Sequence, residues 1–235
     1  MEPLKECTEF DFQLKQIQIN GLTWLPWIGK EYSKGDALIL GESHYCYGNF
    51  TPEDIEHNRD ETRIVIDYFV KSGRDAGNQY KTYEPMETII GNTITHNDCE
   101  KIWHQIAYMN LIQKCMTSND KRPHWQQFLD GWLVVLQVVN VLRPGICICF
   151  SSDKKLNRAN FNRLEEFKDN VSFNYSILPN ADTDSKISNC IVSTPGKITI
   201  DNYNCRVIFI QHASRIKGNG FQAWQGVIKK YLEEN

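Results

Sequence analysis

Three segments of this chain are continuous apolar runs, and each leads into a group of polar residues. The runs lie within residues 37–40, 146–150 and 206–210. Unbroken apolar runs of this length are typical of strands buried on both faces of a parallel sheet. Between them, apolar residues recur at intervals of three and four, which indicates amphipathic helices. The pattern predicts an α/β fold, a three-layer α/β/α sandwich with a central, mainly parallel sheet.

The boundaries of the remaining elements follow from start and stop residues. Thr51-Pro52 followed by two acids fits the first turn of a helix that runs to about Ser72. Arg143-Pro144-Gly145 ends a strongly apolar helix. Residues 10–20 fit either a short helix or an edge strand, and the proline-interrupted residues 22–29 predict a packed loop. Three further helices are predicted over residues 125–142, 154–168 and 221–232, and another begins at residue 84. Short strands are expected within residues 171–178, 187–193 and 198–200.

Composition narrows the class of protein. The 235 residues, of which 41% are hydrophobic, predict a single domain spanning residues 1–235. Every apolar run is far shorter than the roughly 18 residues of a membrane span, and the N-terminus lacks a signal-peptide pattern. We therefore expect a cytoplasmic, monomeric protein without a membrane partner.

The cysteines and the net charge add two expectations. The eight cysteines include no Cys-x-x-Cys pair, so we expect reduced thiols, no metal site and no cofactor. The net charge of −3 argues against binding nucleic acid through global charge, although a local basic groove remains compatible with it.

Polar residues with acid–base and recognition chemistry follow three predicted strands. Glu42 and His44 follow the first, Asn110 lies near the end of residues 107–112, and His212 with Ser214 follows the last. If these strands are parallel neighbours, the three groups emerge at one rim of the sheet, where open α/β sheets bind ligands. The alternatives are a solvated loop after Gly41, an Asn110 side chain that closes a turn, and a structural histidine at residue 212.

Taken together, these segments resemble motifs of the uracil-DNA glycosylase superfamily over roughly residues 36–216. The corresponding segments are residues 40–45, 107–110, 141–148 and 209–214. His44 and Ala213 stand where that family carries prolines that stiffen DNA-contacting loops. The resemblance implies that Glu42 positions the attacking water, that Asn110 reads the pyrimidine edge and that His212 stabilises charge on the departing base. Such roles suit cleavage of an N-glycosidic bond, which leaves an oxocarbenium-like sugar and an anionic base.

The same resemblance suggests contacts for the rest of a DNA substrate. An extruded base needs an aromatic face as well as polar groups for its edge. The residues expected to bind the base are Asn110 and Ser214 together with Gly41, His44, Tyr45, Tyr47 and Phe50. Those expected to contact DNA are Ser43, Ala213, Arg215 and Lys217.

Three functions therefore remain open at this point. The leading one is a divergent glycosylase acting on a deaminated or modified base in DNA. The second is a noncatalytic module that binds a nucleobase or nucleotide on the same fold. The third, an α/β hydrolase using Ser43 or Ser214 with a histidine, lacks the expected Gly-x-Ser-x-Gly elbow.

Overall fold

The computed structural model contains two β-sheets and eight α-helices within the residues that it describes. Those residues are 8–16, 21–46, 49–72, 80–91, 99–117, 122–151, 153–180, 185–187, 190–192 and 195–233. The helices are α1 (Thr8–Gln16), α2 (Pro52–His57), α3 (Glu61–Ser72), α4 (Tyr80–Gly91), α5 (Cys99–Gln105), α6 (Trp125–Leu142), α7 (Lys154–Asn162) and α8 (Gly220–Glu233). The strands are β1 (Trp27–Ile28), β2 (Ala37–Tyr45), β3 (Ala107–Met116), β4 (Ile146–Ser151), β5 (Tyr175–Leu178), β6 (Ser185–Ile187), β7 (Cys190–Val192), β8 (Gly196–Ile200) and β9 (Tyr203–Gln211).

The main sheet has seven strands in the order β1-β3-β2-β4-β9-β8-β5. Its four central strands, β3, β2, β4 and β9, are parallel, whereas β1, β8 and β5 pair antiparallel at the two edges. The strands β6 and β7 form a separate hairpin sheet. The carboxyl ends of the four parallel strands therefore lie along one rim, as the sequence predicts.

Helices cover both faces of this sheet. Leu38 and Leu40 of β2 belong to one buried cluster, which includes side chains of α1, α6 and α7. Ala37 and Ile39, which point the other way, belong to a second cluster with side chains of α3, α4, α5 and α8. This mixed α/β arrangement is compatible with a three-layer sandwich. None of the described helices combines the length and the apolar character that a membrane span needs.

Several element boundaries differ from the sequence prediction. The expected helix over residues 51–72 is broken into α2 and α3, because Asn58 is extended and the carbonyl of Arg59 accepts a hydrogen bond from the Leu25 amide. Helix α4 begins at Tyr80, four residues before the predicted start, and so contains Pro85 in its interior. The predicted helix over 154–168 ends at Asn162 and continues as a 3-10 helix, Leu164–Asn170.

Strands β2 and β3, which carry Glu42 and Asn110, are longer than predicted. Strand β2 continues through Tyr45 and β3 through Met116, beyond the apolar runs. The extensions pair with each other, with a register shift between Ser43 and Tyr45. Glu42 and His44 therefore lie on a strand rather than in the solvated loop that was the alternative.

Candidate active site

A cavity of about 470 Å³ opens at the rim formed by the carboxyl ends of the parallel strands. This volume falls within the range usual for small-ligand pockets. It is lined by residues from β2 and Cys46 after it, from β3, α3 and α4, by Arg122 before α6 and by the segment after β9. The residues predicted from the sequence that line it are Gly41, Glu42, Ser43, His44, Tyr45, Asn110, His212 and Ser214.

Glu42 is the buried acid of this cavity. The hydroxyl of Ser151, at the end of β4, donates a hydrogen bond to Glu42 Oε2 at 3.2 Å. Arg122 Nη1 lies 3.5 Å from Glu42 Oε1 and donates to the Tyr45 hydroxyl at 3.3 Å. The Arg122 side chain is 53% exposed and that of Glu42 only 2%. Arg122 thus links a buried carboxylate to the mouth of the cavity.

Asn110 is held with one end of its amide fixed. The Tyr108 hydroxyl donates to Asn110 Oδ1 at 2.9 Å, and Gln113 Nε2 donates to the Asn110 carbonyl at 2.6 Å. Among the described residues, the Asn110 Nδ2 group has no hydrogen-bond partner. Because Asn110 lines the cavity, its amide N–H groups are the part of the side chain left for a ligand.

Gly41 makes this arrangement sterically possible. A Cβ atom at residue 41 would lie 2.1 Å from the Tyr108 hydroxyl and 2.3 Å from Asn110 Oδ1. Real Cβ atoms do not approach other heavy atoms that closely, so any larger residue would displace the Tyr108–Asn110 pair.

His212 presents one ring nitrogen as a donor. Its Nδ1 accepts the Ser214 backbone N–H at 3.4 Å and lies 2.8 Å from the Ser214 hydroxyl. A neutral imidazole whose Nδ1 accepts carries its proton on Nε2. Burial lowers the pKa of His212, and Arg215 and Arg122 act in the same direction, whereas Glu42 raises it.

His44 lines the cavity but is held by protein contacts. Its Nε2 lies 3.0 Å from the Thr62 hydroxyl, and its ring meets Trp24 edge-on with centroids 4.7 Å apart. Burial lowers the pKa of His44 from 6.5 to about 4. The ring is therefore neutral at pH 7 and forms a wall of the cavity.

No protein-family model matches this chain. No curated protein matches it either. The residues of the cavity are therefore the basis from which its function must be inferred. Within the described ranges, no three histidine, cysteine, aspartate or glutamate side chains are grouped to hold a metal ion.

The other predicted contact residues that the structure describes are not among those lining the cavity. Phe50 is exposed and is not part of the lining, and Tyr47 lies outside the described residues. Ala213 is fully buried in the apolar core, so its side chain is not exposed to a DNA partner. Arg215 and Lys217 are exposed to solvent and are not among the residues that line the cavity.

Sequence reasoning did not find three polar residues of the cavity. Tyr108 lies two residues before Asn110 on β3 and therefore on the same face, a spacing that could have indicated it. Tyr83 of α4 packs edge-on against Tyr108, with ring centroids 5.7 Å apart. Tyr83 lies within α4, and Arg122 lies in the segment between β3 and α6 rather than directly at a strand end, so no local pattern pointed to them.

Proposed function

We propose that this chain has a uracil-DNA glycosylase-like fold and hydrolyses the N-glycosidic bond of a deaminated or modified base in DNA. The observation that supports this proposal is that Glu42, Asn110 and His212, from three different parts of the sequence, line one cavity. An acid, an amide and an imidazole at one rim supply the groups that the reaction requires.

The chemistry needs a negative group beside the sugar and a donor beside the base. As the bond between sugar and base breaks, the base leaves with the bonding electrons and the sugar becomes oxocarbenium-like. The buried Glu42 carboxylate stabilises that positive charge and orients the water that adds to the sugar carbon. The Nε2–H group of His212 donates a hydrogen bond to the anionic base.

Recognition of the base is assigned to Asn110 and its tyrosine neighbours. The free N–H groups of Asn110 donate to an oxygen acceptor on the base edge. Tyr83 and Tyr108 contribute aromatic surface to the same cavity. An extruded base is recognised by this combination of edge contacts and apolar or aromatic faces.

The Arg122 contact favours a second candidate, a noncatalytic module that binds a nucleobase or nucleotide. Both oxygens of Glu42 already have partners, Ser151 and Arg122. A water positioned by Glu42 would have to share or displace one of these contacts. In a binding module the carboxylate would simply remain paired.

Release of free base distinguishes the two candidates. Purified protein is incubated with single-stranded or mismatched DNA containing uracil or other deaminated bases, where extrusion costs least. We expect release by the wild type, and a loss of about 100-fold or more for Glu42→Gln and for His212→Ala.

The matched controls are Glu53→Gln and His57→Ala, which change exposed residues of α2 and should retain full activity. Saturable base binding by a wild type that releases no base above a no-protein control would identify the binding module instead.

A further inference from the structure

Two thiols meet at the wall of the cavity. Cys46 directly follows β2 and lines the cavity, and Cys115 lies one residue before the end of β3. Their sulfur atoms are 3.2 Å apart. The Cys46 amide donates to the Met116 carbonyl at 3.0 Å, so backbone pairing holds the two cysteines side by side.

A second thiol pair in the same sheet provides a contrast. Cys147 of β4 and Cys205 of β9 have sulfur atoms 3.4 Å apart, but both residues are fully buried in the apolar core. Of the five cysteines whose side chains the structure describes, Cys46 alone is not buried. A reagent that enters the cavity therefore reaches the Cys46–Cys115 pair and not the inner one.

We propose that Cys46 and Cys115 are a modification site at which a hydroperoxide forms a reversible disulfide. The Cys46 sulfur attacks the peroxide O–O bond, forms an S–O bond and releases an alcohol, or water from hydrogen peroxide. The Cys115 sulfur then displaces that oxygen as water and forms the S–S bond. Two thiols are oxidised and one peroxide is reduced, so the atoms and electrons balance.

The order of these steps follows from exposure and charge. Burial raises the pKa of the Cys115 thiol to about 12, with further contributions from Cys46 and from nearby Glu56 and Glu61. Cys115 therefore remains protonated at neutral pH and reacts second, after a neighbouring sulfenic acid has formed. Cys46 is the thiol that the peroxide meets first.

The disulfide also regulates the site, and this consequence rests on the proposed function. A disulfide S–S bond is about 2.05 Å long, so the two sulfurs must approach by about 1 Å. Cys46 adjoins Tyr45, whose hydroxyl contacts Arg122, which in turn pairs with Glu42. Oxidation therefore shifts the mouth of the cavity, and we expect it to lower base release.

Intact-mass measurement tests the site without any activity assay. The 235-residue chain with Cys7, Cys99 and Cys190 changed to serine is treated with hydrogen peroxide. We expect a mass lower by two hydrogen atoms, a peptide cross-link between Cys46 and Cys115, and recovery of the starting mass with dithiothreitol. Cys46→Ser and Cys115→Ser should each abolish the cross-link, whereas Cys147→Ser should not.

Three results would overturn the site: full alkylation of both thiols after peroxide, a cross-link between Cys147 and Cys205, or oxidation of Cys46 to sulfinic acid without cross-linking. The mass result for the protein that keeps both Cys46 and Cys115 does not depend on how Cys46→Ser or Cys115→Ser folds. A cross-link with unchanged base release would overturn the regulation only. A cross-link in a protein that never releases base would leave the site standing and refute the proposed function.

Discussion

Gly41 is the residue on which the geometry of the cavity depends most directly. Gly41→Ala places a methyl group where the Tyr108 hydroxyl and Asn110 Oδ1 now lie. We expect a loss of stability of about 1–3 kcal/mol from overpacking, together with weakened base binding. Urea unfolding and equilibrium base binding measure the two effects.

A matched glycine substitution separates this clash from a general effect of adding a methyl group. A Cβ at Gly226, in the interior of α8, meets no atom within 4 Å. Gly226→Ala should therefore stabilise the protein by about 0.5–1 kcal/mol and leave base binding unchanged. If Gly41→Ala behaved in the same way, the close contact with Tyr108 and Asn110 would be excluded.

His44 predicts how stability depends on pH. Its pKa is about 4 in the folded protein, against 6.5 for an unburied histidine. Between these values the unfolded chain binds a proton that the folded one does not. The contribution of neutral His44 to the free energy of unfolding is therefore fully present above pH 6.5. It falls by up to about 3 kcal/mol as the pH is lowered to 4. Urea unfolding at several pH values measures the loss.

Replacing the ring isolates the contribution of His44. His44→Gln keeps a partner for the Thr62 hydroxyl but cannot titrate in this range, so the variant should show a shallower loss of stability between pH 6.5 and 4. His57→Gln, at an exposed residue of α2, serves as the control. Identical pH profiles for His44→Gln and the wild type would assign the acid sensitivity to other groups.

At the residue scale, the sequence identified the strand-end groups but not their partners. Glu42, Asn110 and His212 could be found because each follows or ends an apolar run. Arg122 and Tyr83 come from segments that only tertiary folding brings to the rim. Ala213 was assigned to DNA contact by its place in the resembling motif, and its side chain is buried in the core.

At the element scale, helix α1 is joined to α3 by a buried ion pair. Asp11 accepts two hydrogen bonds from Arg63, at 2.5 and 3.1 Å, and the Arg63 Nε group donates to the Pro26 carbonyl at 2.9 Å. Asp11→Ala leaves a buried guanidinium without its bidentate partner. We expect a loss of about 3–5 kcal/mol in urea unfolding.

The control for this variant lies on the same helix. Glu9→Ala removes an acid from an exposed position of α1 and should change stability by less than about 0.5 kcal/mol. Equal effects of Asp11→Ala and Glu9→Ala would show that the ion pair does not hold α1 in place.

The helix and strand predictions succeeded where a local sequence pattern sets the bounds of the element. They failed where a tertiary contact sets those bounds. Helix α6 has the predicted bounds, and the three apolar strands form in the predicted places. The break between α2 and α3 depends on the Leu25–Arg59 hydrogen bond, which no local pattern encodes. The extension of β2 depends on pairing with an equally extended β3.

At the scale of the whole molecule, the net charge is −3, so any contact with DNA must depend on a local group of basic residues. Arg215 and Lys217 are exposed and follow His212 at the edge of the cavity. If they contact phosphates, replacing both with alanine should weaken DNA binding. It should also make the dependence of affinity on salt shallower by up to about two charges. Binding titrations at several salt concentrations measure both effects.

Lys30 and Lys34 provide a control pair at the opposite end of the sheet. Both are exposed and precede β2, whereas the cavity lies at its carboxyl end. Their double alanine variant should retain the wild-type affinity and salt dependence. An equal salt dependence for Arg215→Ala/Lys217→Ala and the wild type would remove that segment from the DNA interface.

The Gln113 side chain couples the loop over residues 21–24 to the strand that carries Asn110. Its Nε2 donates to the carbonyl of Asn110, while its Oε1 accepts the amides of Thr23 and Trp24 at 3.1 and 3.0 Å. Trp24 in turn packs against His44. The Gln113 side-chain amide thus makes the hydrogen bonds to backbone groups that a peptide group of a neighbouring strand would otherwise make. The loop over residues 21–24 and the strand carrying Asn110 therefore cannot move independently, so a ligand that displaces one must also shift the other.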